Sequence, residues 1–322
     1  MTDARPIDPI EVHKTESAGT AGRTALKIAL VTLFAGASIA LSYAKGAVET
    51  PDNRVYVLVM ALIWVYFTVK TVVKKGENHP DIAILVYSLF LLWEITFRIL
   101  GRGNPVLTPP MENVFQVFLN DRKFIAEGIG HSLMILVTGF SIALVFGNIL
   151  GMIVGWVRRL NDDLTPIAKV LSPIPPMVYT PYLIALMPTF TSASIAVIGK
   201  GMFWPIFLGM INRVNGMNER IIDSARAMNV STFTMLFKVI LPYSIPSIVG
   251  SLKIQISTIF MILIMAEMIG ATSGLGFFIK KYSDYADYAR VIAGIFVVGT
   301  VITLLNVLLN AAEKKLIKWK AV

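Results

Sequence analysis

Eight apolar runs, at roughly residues 25–44, 55–73, 82–100, 129–157, 166–187, 194–212, 243–270 and 288–310, leave this chain few folds to choose from. Each approaches the roughly 20 residues that carry a helix across the hydrocarbon layer of a bilayer. In hydrocarbon every backbone amide must be satisfied within its own segment, so runs of this length are helices. The alternating ten-residue segments of a membrane barrel are absent. Composition agrees, since 55% hydrophobic and 15% charged residues with a mean hydropathy of +0.69 lie far from a soluble domain. The expected fold is an all-α, polytopic integral-membrane bundle of about eight transmembrane helices.

The placement of Lys and Arg sets the expected orientation, because basic residues accumulate in short cytoplasmic loops. Arg5, Lys14, Arg23 and Lys27 precede the first run, and Lys70, Lys74 and Lys75 follow the second. Arg158 and Arg159 follow the fourth run, Arg213, Arg220, Arg226 and Lys238 lie between the sixth and seventh, and Lys314, Lys315, Lys318 and Lys320 end the chain. With both termini inside, all of these fall on one side. Lys45, Arg54, Arg102, Arg122, Lys123, Lys280 and Lys281 are exceptions that leave the pattern's direction unchanged. The net charge of +9 therefore reads as topology and contact with anionic lipid. No nucleic acid is expected as a partner, because no basic stripe with interleaved aromatics stands free of the spans.

The first residues, 1–24, are polar and carry Pro6, Pro9, Ser17 and Gly19, with too little apolar surface to fold alone, so a disordered cytoplasmic tail is expected there. The first run lacks a convincing small-residue cleavage site and reads as an uncleaved anchor. Zero cysteines exclude disulfides, thiolate metal sites and cysteine nucleophiles.

Two runs carry internal punctuation. In the fourth, Gly139, Ala143, Gly147, Gly151 and Gly155 recur every four residues and share one helix face, where small residues let a neighbouring backbone approach closely. In the fifth, Pro166, Pro173, Pro175, Pro176, Pro181 and Pro188 each remove an amide donor, which a regular helix does not survive. Broken backbone at membrane depth is tolerated where it is buried in protein or lines a watery cavity, so Ser172 to Pro181 reads either as a pathway wall or as an irregular packed helix.

Between the sixth and seventh runs lies a polar island, 213–242, containing Asp223-Ser224-Ala225-Arg226-Ala227-Met228-Asn229 and closing on Val239-Ile240-Leu241-Pro242. Glu219 and Asp223 suit the positive end of a short helix, and Asn229 stands where that helix should stop, a position that asks for a left-handed residue. Ser231 then caps a second helix, Thr232 to Val239, before Pro242 restarts the chain into the seventh span.

This island resembles the cytoplasmic signature loop, EAA-x3-G-x9-I-x-L-P, of the permeases of binding-protein-dependent ABC importers, with Asp223 in place of the motif's glutamate and Asn229 in place of its glycine. The resemblance runs from about Leu107 to Trp319, and points to the nitrate, sulfonate, taurine and bicarbonate group. It is carried by Pro109-Pro110-Met111-Glu112-Asn113-Val114, Ile174-Pro175-Pro176-Met177 with Pro181-Tyr182, Phe203-Trp204-Pro205-Ile206, Ile240-Leu241-Pro242, Ala266-Glu267, Ser273-Gly274-Leu275-Gly276 and Lys318-Trp319. Such permeases have six spans. The resemblance therefore implies a core over 79–322 preceded by two extra transmembrane helices within 25–78. It further implies a second permease copy, cytoplasmic ATPases and an external solute-binding protein, periplasmic or lipid-anchored, in a bacterial inner membrane. The chain has no G-x4-G-K-[ST] phosphate loop, so ATP and Mg are expected on the partner ATPase and no cofactor on this chain. Glu219, Asp223, Ala225, Arg226, Asn229, Leu241 and Pro242 are the expected coupling residues.

For the pathway, Lys200 lies between Gly199 and Gly201, about a turn and a half from the outer end of the sixth run, where it either attracts an anionic solute or snorkels. Ser251, Gln255 and Thr258 form one polar stripe at helical spacing, facing either the pathway or a neighbouring helix. Pro176 and Tyr179, in the broken fifth run, complete the pathway candidates. Glu94 and Arg98, four residues apart, neutralise each other. Toward the outside, Glu267 either supports a gate or binds backbone amides, Gly274 and Gly276 permit a tight turn, and Tyr285 belongs to a Lys280–Arg290 surface suited to docking a binding protein.

Two other classes are weighed. An intramembrane hydrolase built on His131 and Ser132 fails because adjacent residues on a helix point apart and no nucleophile elbow surrounds the serine. An ion-coupled secondary transporter should show inverted repeats, which this sequence lacks.

Overall fold

A computed structural model describes residues 9–43, 53–73, 79–96 and 106–316. No strand occurs among them. The chain divides into two compact units, residues 1–120 with 286–293, and residues 121–285 with 294–322.

The first unit holds α1 (Pro9–Ser42), α2 (Arg54–Val73), α3 (His79–Glu94) and α4 (Met111–Asn120). Its interior is built from Val31, Tyr56, Met60, Tyr87, Val114 and Phe115, all buried. The Tyr87 hydroxyl crosses from α3 to donate to the Met60 carbonyl of α2 at 2.7 Å, so a buried phenol finds the partner it needs. Lys27 and Asp81 tie α1 to α3 at 2.6 Å. Within 79–120, grouped by the sequence with the permease core, α3 and α4 pack here with α1 and α2.

Of the 1–24 stretch expected to be disordered, the described residues from Pro9 onward continue α1. Extending a helix already nucleated by an apolar span costs far less than nucleating one, which a reading of the tail by itself leaves out. Arg98, the expected partner of Glu94, lies outside the described residues, as do Lys45, Lys74, Lys75, Arg102 and Lys318-Trp319.

The second unit is framed by α5 (Arg122–Trp156) and α8 (Phe190–Asn215). A Cβ added at Gly139 would meet Ile195 and Ile198, at Gly147 Ile206, at Gly151 Phe207 and Met210, and at Gly155 Val214. Both numbers rise together, so the two helices run parallel along the glycine face. Parallel neighbours need a return crossing, and α6 (Arg158–Leu171) and α7 (Pro176–Leu186) supply it. The break between them falls at Ser172–Pro175, where the prolines withdraw amides. α11 (Leu241–Gly270) runs antiparallel to α8, with Ile262 close to Gly201 and Ser247 against Arg213. α12 (Leu275–Asp284) follows it, and α13 (Tyr288–Leu316) begins in the first unit and continues in the second.

Among the described residues six helices are long and apolar enough to cross a membrane, or seven if the pair Ile254–Gly270 and Leu275–Asp284, bent by 48°, counts as one span. This is fewer than the eight runs of the sequence. The run at 166–187 is cut into two helices of 14 and 11 residues, and that at 82–100 is a described helix of 16. Outward-facing Val137, Val145, Leu304 and Leu308 are exposed, as expected of faces that meet lipid acyl chains.

Candidate functional site

The polar island folds as a helical hairpin. The Asn218 side chain accepts from the Arg220 amide at 3.0 Å and so caps α9 (Glu219–Ala227), a signal visible in the sequence as Asn immediately before Glu219. α9 ends as Asn229 predicted. Asn229 takes φ 52°, its amide donates to the Arg226 carbonyl at 2.8 Å, and the Val230 amide reaches back to the Ala225 carbonyl at 3.5 Å. These are the two bonds of the glycine-type helix stop in which a left-handed residue turns the chain back on the last carbonyls. Val230 also packs against the apolar cluster that buries Ala225.

After the Ser231 cap, α10 (Thr232–Thr234) does not end before Pro242 as the sequence suggests. It runs through a π-helical turn, Met235–Ile240, directly into α11. Proline lacks a donor and its ring collides with the carbonyl four residues earlier. The wider π turn, in which the Leu241 amide bonds to Leu236, removes that conflict and lets the helix continue. Leu241 and Pro242 thus open a continuous helix that reaches Gly270.

The hairpin has two faces. Ala225, Met235, Leu236 and Ile240 are buried with Met152 of α5 and Met210 and Val214 of α8 in one apolar cluster. The Arg226 guanidinium lies 5.7 Å from the Trp156 ring centroid at the end of α5. The opposite face is solvent-accessible, with Asp223 and Arg226 paired at 3.7 Å and Met228 and Phe233 exposed. The hairpin is therefore seated on the ends of α5, α8 and α11 while offering a mixed charged and apolar surface outward.

Residues 143–318, more than half of the chain, match the family described as the inner membrane component of binding-protein-dependent transport systems. The chain belongs to this family. The permease is 24% identical over 251 residues to SsuC of Bacillus subtilis, named for aliphatic sulfonates transport, covering 76% of this chain and 87% of SsuC. It is 28% identical over 235 residues to the nitrate import permease NrtB of Synechocystis, covering 71% of this chain and 85% of NrtB. A chain of the MetNI methionine ABC transporter, in an inward facing conformation, shares the fold at a TM-score of 0.53 and 19% identity, over 60% of this chain and 96% of that one. The protein is a permease subunit of an ABC importer, as its sequence implied.

The pathway candidates fall into two groups. Lys200 projects from α8 with its Nζ 4.0 Å from the centroid of the Tyr179 ring on α7. Pro176, at the start of α7, comes within 3.2 Å of where a Gly201 Cβ would stand, so this glycine lets α7 lie against α8. Leu171, Ser172, Ile174, Tyr179, Lys200 and Trp204 surround a cavity of about 230 Å³. The structure places Lys200 deeper than the sequence did. Helix α8 starts at Phe190, ahead of the apolar run at 194, which leaves Lys200 about 15 Å from its end.

Ser251 belongs elsewhere. Arg213 donates to the Ser251 hydroxyl at 3.2 Å and to the Ser247 hydroxyl at 2.9 Å, thirteen residues beyond Lys200 on α8. The sequence grouped Arg213 with the island's charges, and its role as a clasp between α8 and α11 needed the tertiary structure. Gln255, one turn on, is half-buried with Oε1 lacking a hydrogen-bond partner, and Thr258 is exposed.

At the far end of α11, Glu267 is 1% exposed. Its Oε1 accepts from the Ser132 hydroxyl of α5 at 2.7 Å, and its Oε2 from the Gly276 amide at 2.7 Å. The Ser132 hydroxyl in turn accepts from the Leu275 amide at 2.9 Å. Of the two readings open for Glu267, binding of backbone amides is the geometry present. Gly274 adopts φ 120°, and any Cβ there would stand 2.3 Å from Glu267 Oε1; one at Gly276 would meet the Ile264 carbonyl at 2.5 Å. Both glycines are thus required by the carboxylate's seat. Ser132, rejected as a nucleophile, is the residue the sequence missed here, since its partners are more than 130 positions away. Tyr285 caps α12 and is exposed, beside an ion pair of Lys280 with Asp284.

Proposed function

We propose that this permease works as one of two copies around a pathway for a small anion, driven by ATPases that grip the α9–α10 hairpin from the cytoplasm. The SsuC and NrtB relatives, one named for sulfonates and one for nitrate, support the solute class. The observation that carries the mechanism is the two-faced hairpin. One face is locked into the apolar cluster of Met152, Met210, Ala225 and Ile240, and the other presents Asp223, Arg226, Met228 and Phe233. A partner holding the outer face moves α5, α8 and α11 together, because packed apolar contacts transmit displacement as rigid bodies.

In this reading ATP and Mg reside on the ATPase, both termini are cytoplasmic, and the protein lies in a bacterial inner membrane. Closure of the ATPases shifts the permease between outward-open and inward-open states. The turn held by Glu267, Gly274 and Gly276 is the outer hinge. The α12 surface near Tyr285, at the end of the unit opposite the hairpin, receives the solute-binding protein. Basic residues beside the spans contact anionic lipid.

The test uses the assembled complex. Asp223→Lys with Arg226→Glu preserves the pairing at i and i+3, and so the helix, while inverting the charge pattern offered to the partner. Binding-protein-stimulated ATP turnover should fall to the basal level while the chain stays inserted. Unchanged stimulation would refute the coupling surface, and uptake that persists with an inactivated ATPase would favour an ion-coupled transporter.

A further inference from the structure

The cavity at the α6–α7 break has features of a ligand site. Lys200 stands about 15 Å along α8 from its first residue, further than its four-carbon stem can carry an ammonium back to that end of the helix, and its side chain is exposed to the open space beside α7. A charge at that depth faces protein or a watery space, not acyl chains. Among the described residues no carboxylate pairs with it, and its contact is the face of the Tyr179 ring at 4.0 Å. The Tyr179 hydroxyl is shielded from solvent without a hydrogen-bond partner, an unusual state for a buried phenol. Ser172 adds a second hydroxyl on the cavity wall, and the remaining lining is the apolar Leu171, Ile174 and Trp204. Lys200 and Trp204 also line a more open hollow of about 490 Å³ bounded by Phe146, Ser192 and Phe203, so the two spaces meet at this pair.

One cation, two hydroxyl donors and an aromatic and aliphatic wall define a chemical class. An inorganic oxyanion of four or five atoms would engage the cation and leave most of about 230 Å³ unfilled. A neutral apolar molecule would leave the ammonium and the phenol unanswered. We propose that the Lys200–Tyr179–Ser172 cavity is a solute-binding station within the membrane for organic monoanions that join an oxyanion head to a small apolar body. The head pairs with Lys200 and accepts from Tyr179 and Ser172, while the body lies against Trp204, Leu171 and Ile174. This rests on the reading of the chain as a permease for small anions and narrows it toward organic solutes. The station receives its ligand from the open hollow across Lys200 and Trp204.

The full chain, reconstituted in nanodiscs without its ATPase, is titrated with benzenesulfonate while tryptophan fluorescence is followed, Trp204 being the reporter. Saturable quenching is expected, with benzyl alcohol inactive. Lys200→Gln should weaken binding at least about tenfold, the usual worth of a charge-assisted contact, and Lys200→Arg should restore most of it. Tyr179→Phe, which removes only the hydroxyl, should weaken it severalfold, and serves if Lys200→Gln misfolds. Benzoate binding as well as benzenesulfonate supports a general oxyanion head; a response to benzenesulfonate alone supports a sulfonate-selective one. Equal affinity of nitrate, methanesulfonate and benzenesulfonate overturns the apolar half of the proposal. Affinity unchanged in both Lys200→Gln and Tyr179→Phe overturns the site. Because no ATPase is present, these outcomes are independent of coupling: no benzenesulfonate binding by the parent chain together with intact ATP-driven uptake sinks the station and leaves the transport reading standing, and binding by the parent chain without any ATP-driven uptake sinks that reading.

Discussion

At the scale of single residues, the sharpest constraint sits at Gly274. Its φ of 120° is closed to residues with a side chain, and Glu267 Oε1 would lie 2.3 Å from any Cβ placed there. Gly274→Ala must either rotate the backbone or expel the carboxylate from its bonds to Ser132 and Gly276. A loss of roughly 2–4 kcal/mol is expected, read as a lowered unfolding temperature of the detergent-solubilised chain. A variant as stable as the parent would show that the turn relaxes freely. The sequence displayed the two glycines and the glutamate, but nothing in it joined them to Ser132, because that hydrogen bond spans 135 positions. Lys200 shows the converse. Its unusual place between two glycines was legible, while its depth depended on where α8 begins, and the Thr189 cap rather than the apolar run sets that boundary.

Among elements, α9 is the clearest case of local chemistry written in sequence. Asn218 caps it, Asn229 stops it at φ 52°, and both decisions use residues within two positions of the helix ends. Asn229→Gly should leave stability unchanged or raise it slightly, whereas Asn229→Val, a branched residue forced into the left-handed region, should cost roughly 1–2 kcal/mol. Limited proteolysis of the hairpin would separate the two, and equal cleavage rates would count against the left-handed stop. The α5–α8 pair tests a longer-range element. A Cβ at Gly151 would come 2.6 Å from the Phe207 carbonyl, so backbone rather than a flexible side chain blocks it. Gly151→Leu should separate the helices and abolish expression of folded protein, measured by monodisperse recovery from detergent, while Gly130→Leu, with nothing within 4 Å, should be tolerated. The π turn before Pro242 was not legible, because single-residue widening is a compromise between proline's missing donor and the continuity demanded by the seventh span.

For the whole molecule, the hairpin matters through what it is fastened to. Ala225 is 3% exposed beneath Met152, Met210 and Val214, so Ala225→Asp places a charge in the seat and loosens the hairpin from α5 and α8. In the assembled importer this should uncouple the machine: ATP turnover persists while uptake measured in proteoliposomes falls at least about tenfold. Uptake retained at the parental level would mean that force reaches the spans by another route. By itself the sequence determined the membrane class, the helical spans, the glycine face and the hairpin with its family resemblance. These depend on hydrophobic length, 3.6-residue periodicity and capping chemistry, all written within a few turns of chain. Only the tertiary structure decided that α3 and α4 pack with the N-terminal helices, that Arg213 clasps Ser247 and Ser251, that Ser132 holds Glu267, and that Lys200 meets Tyr179 over a cavity. Each of these pairs side chains from segments distant in sequence, and no local pattern encodes which faces of two apolar helices will meet, because lipid and neighbouring helix are equally apolar and close packing makes the choice.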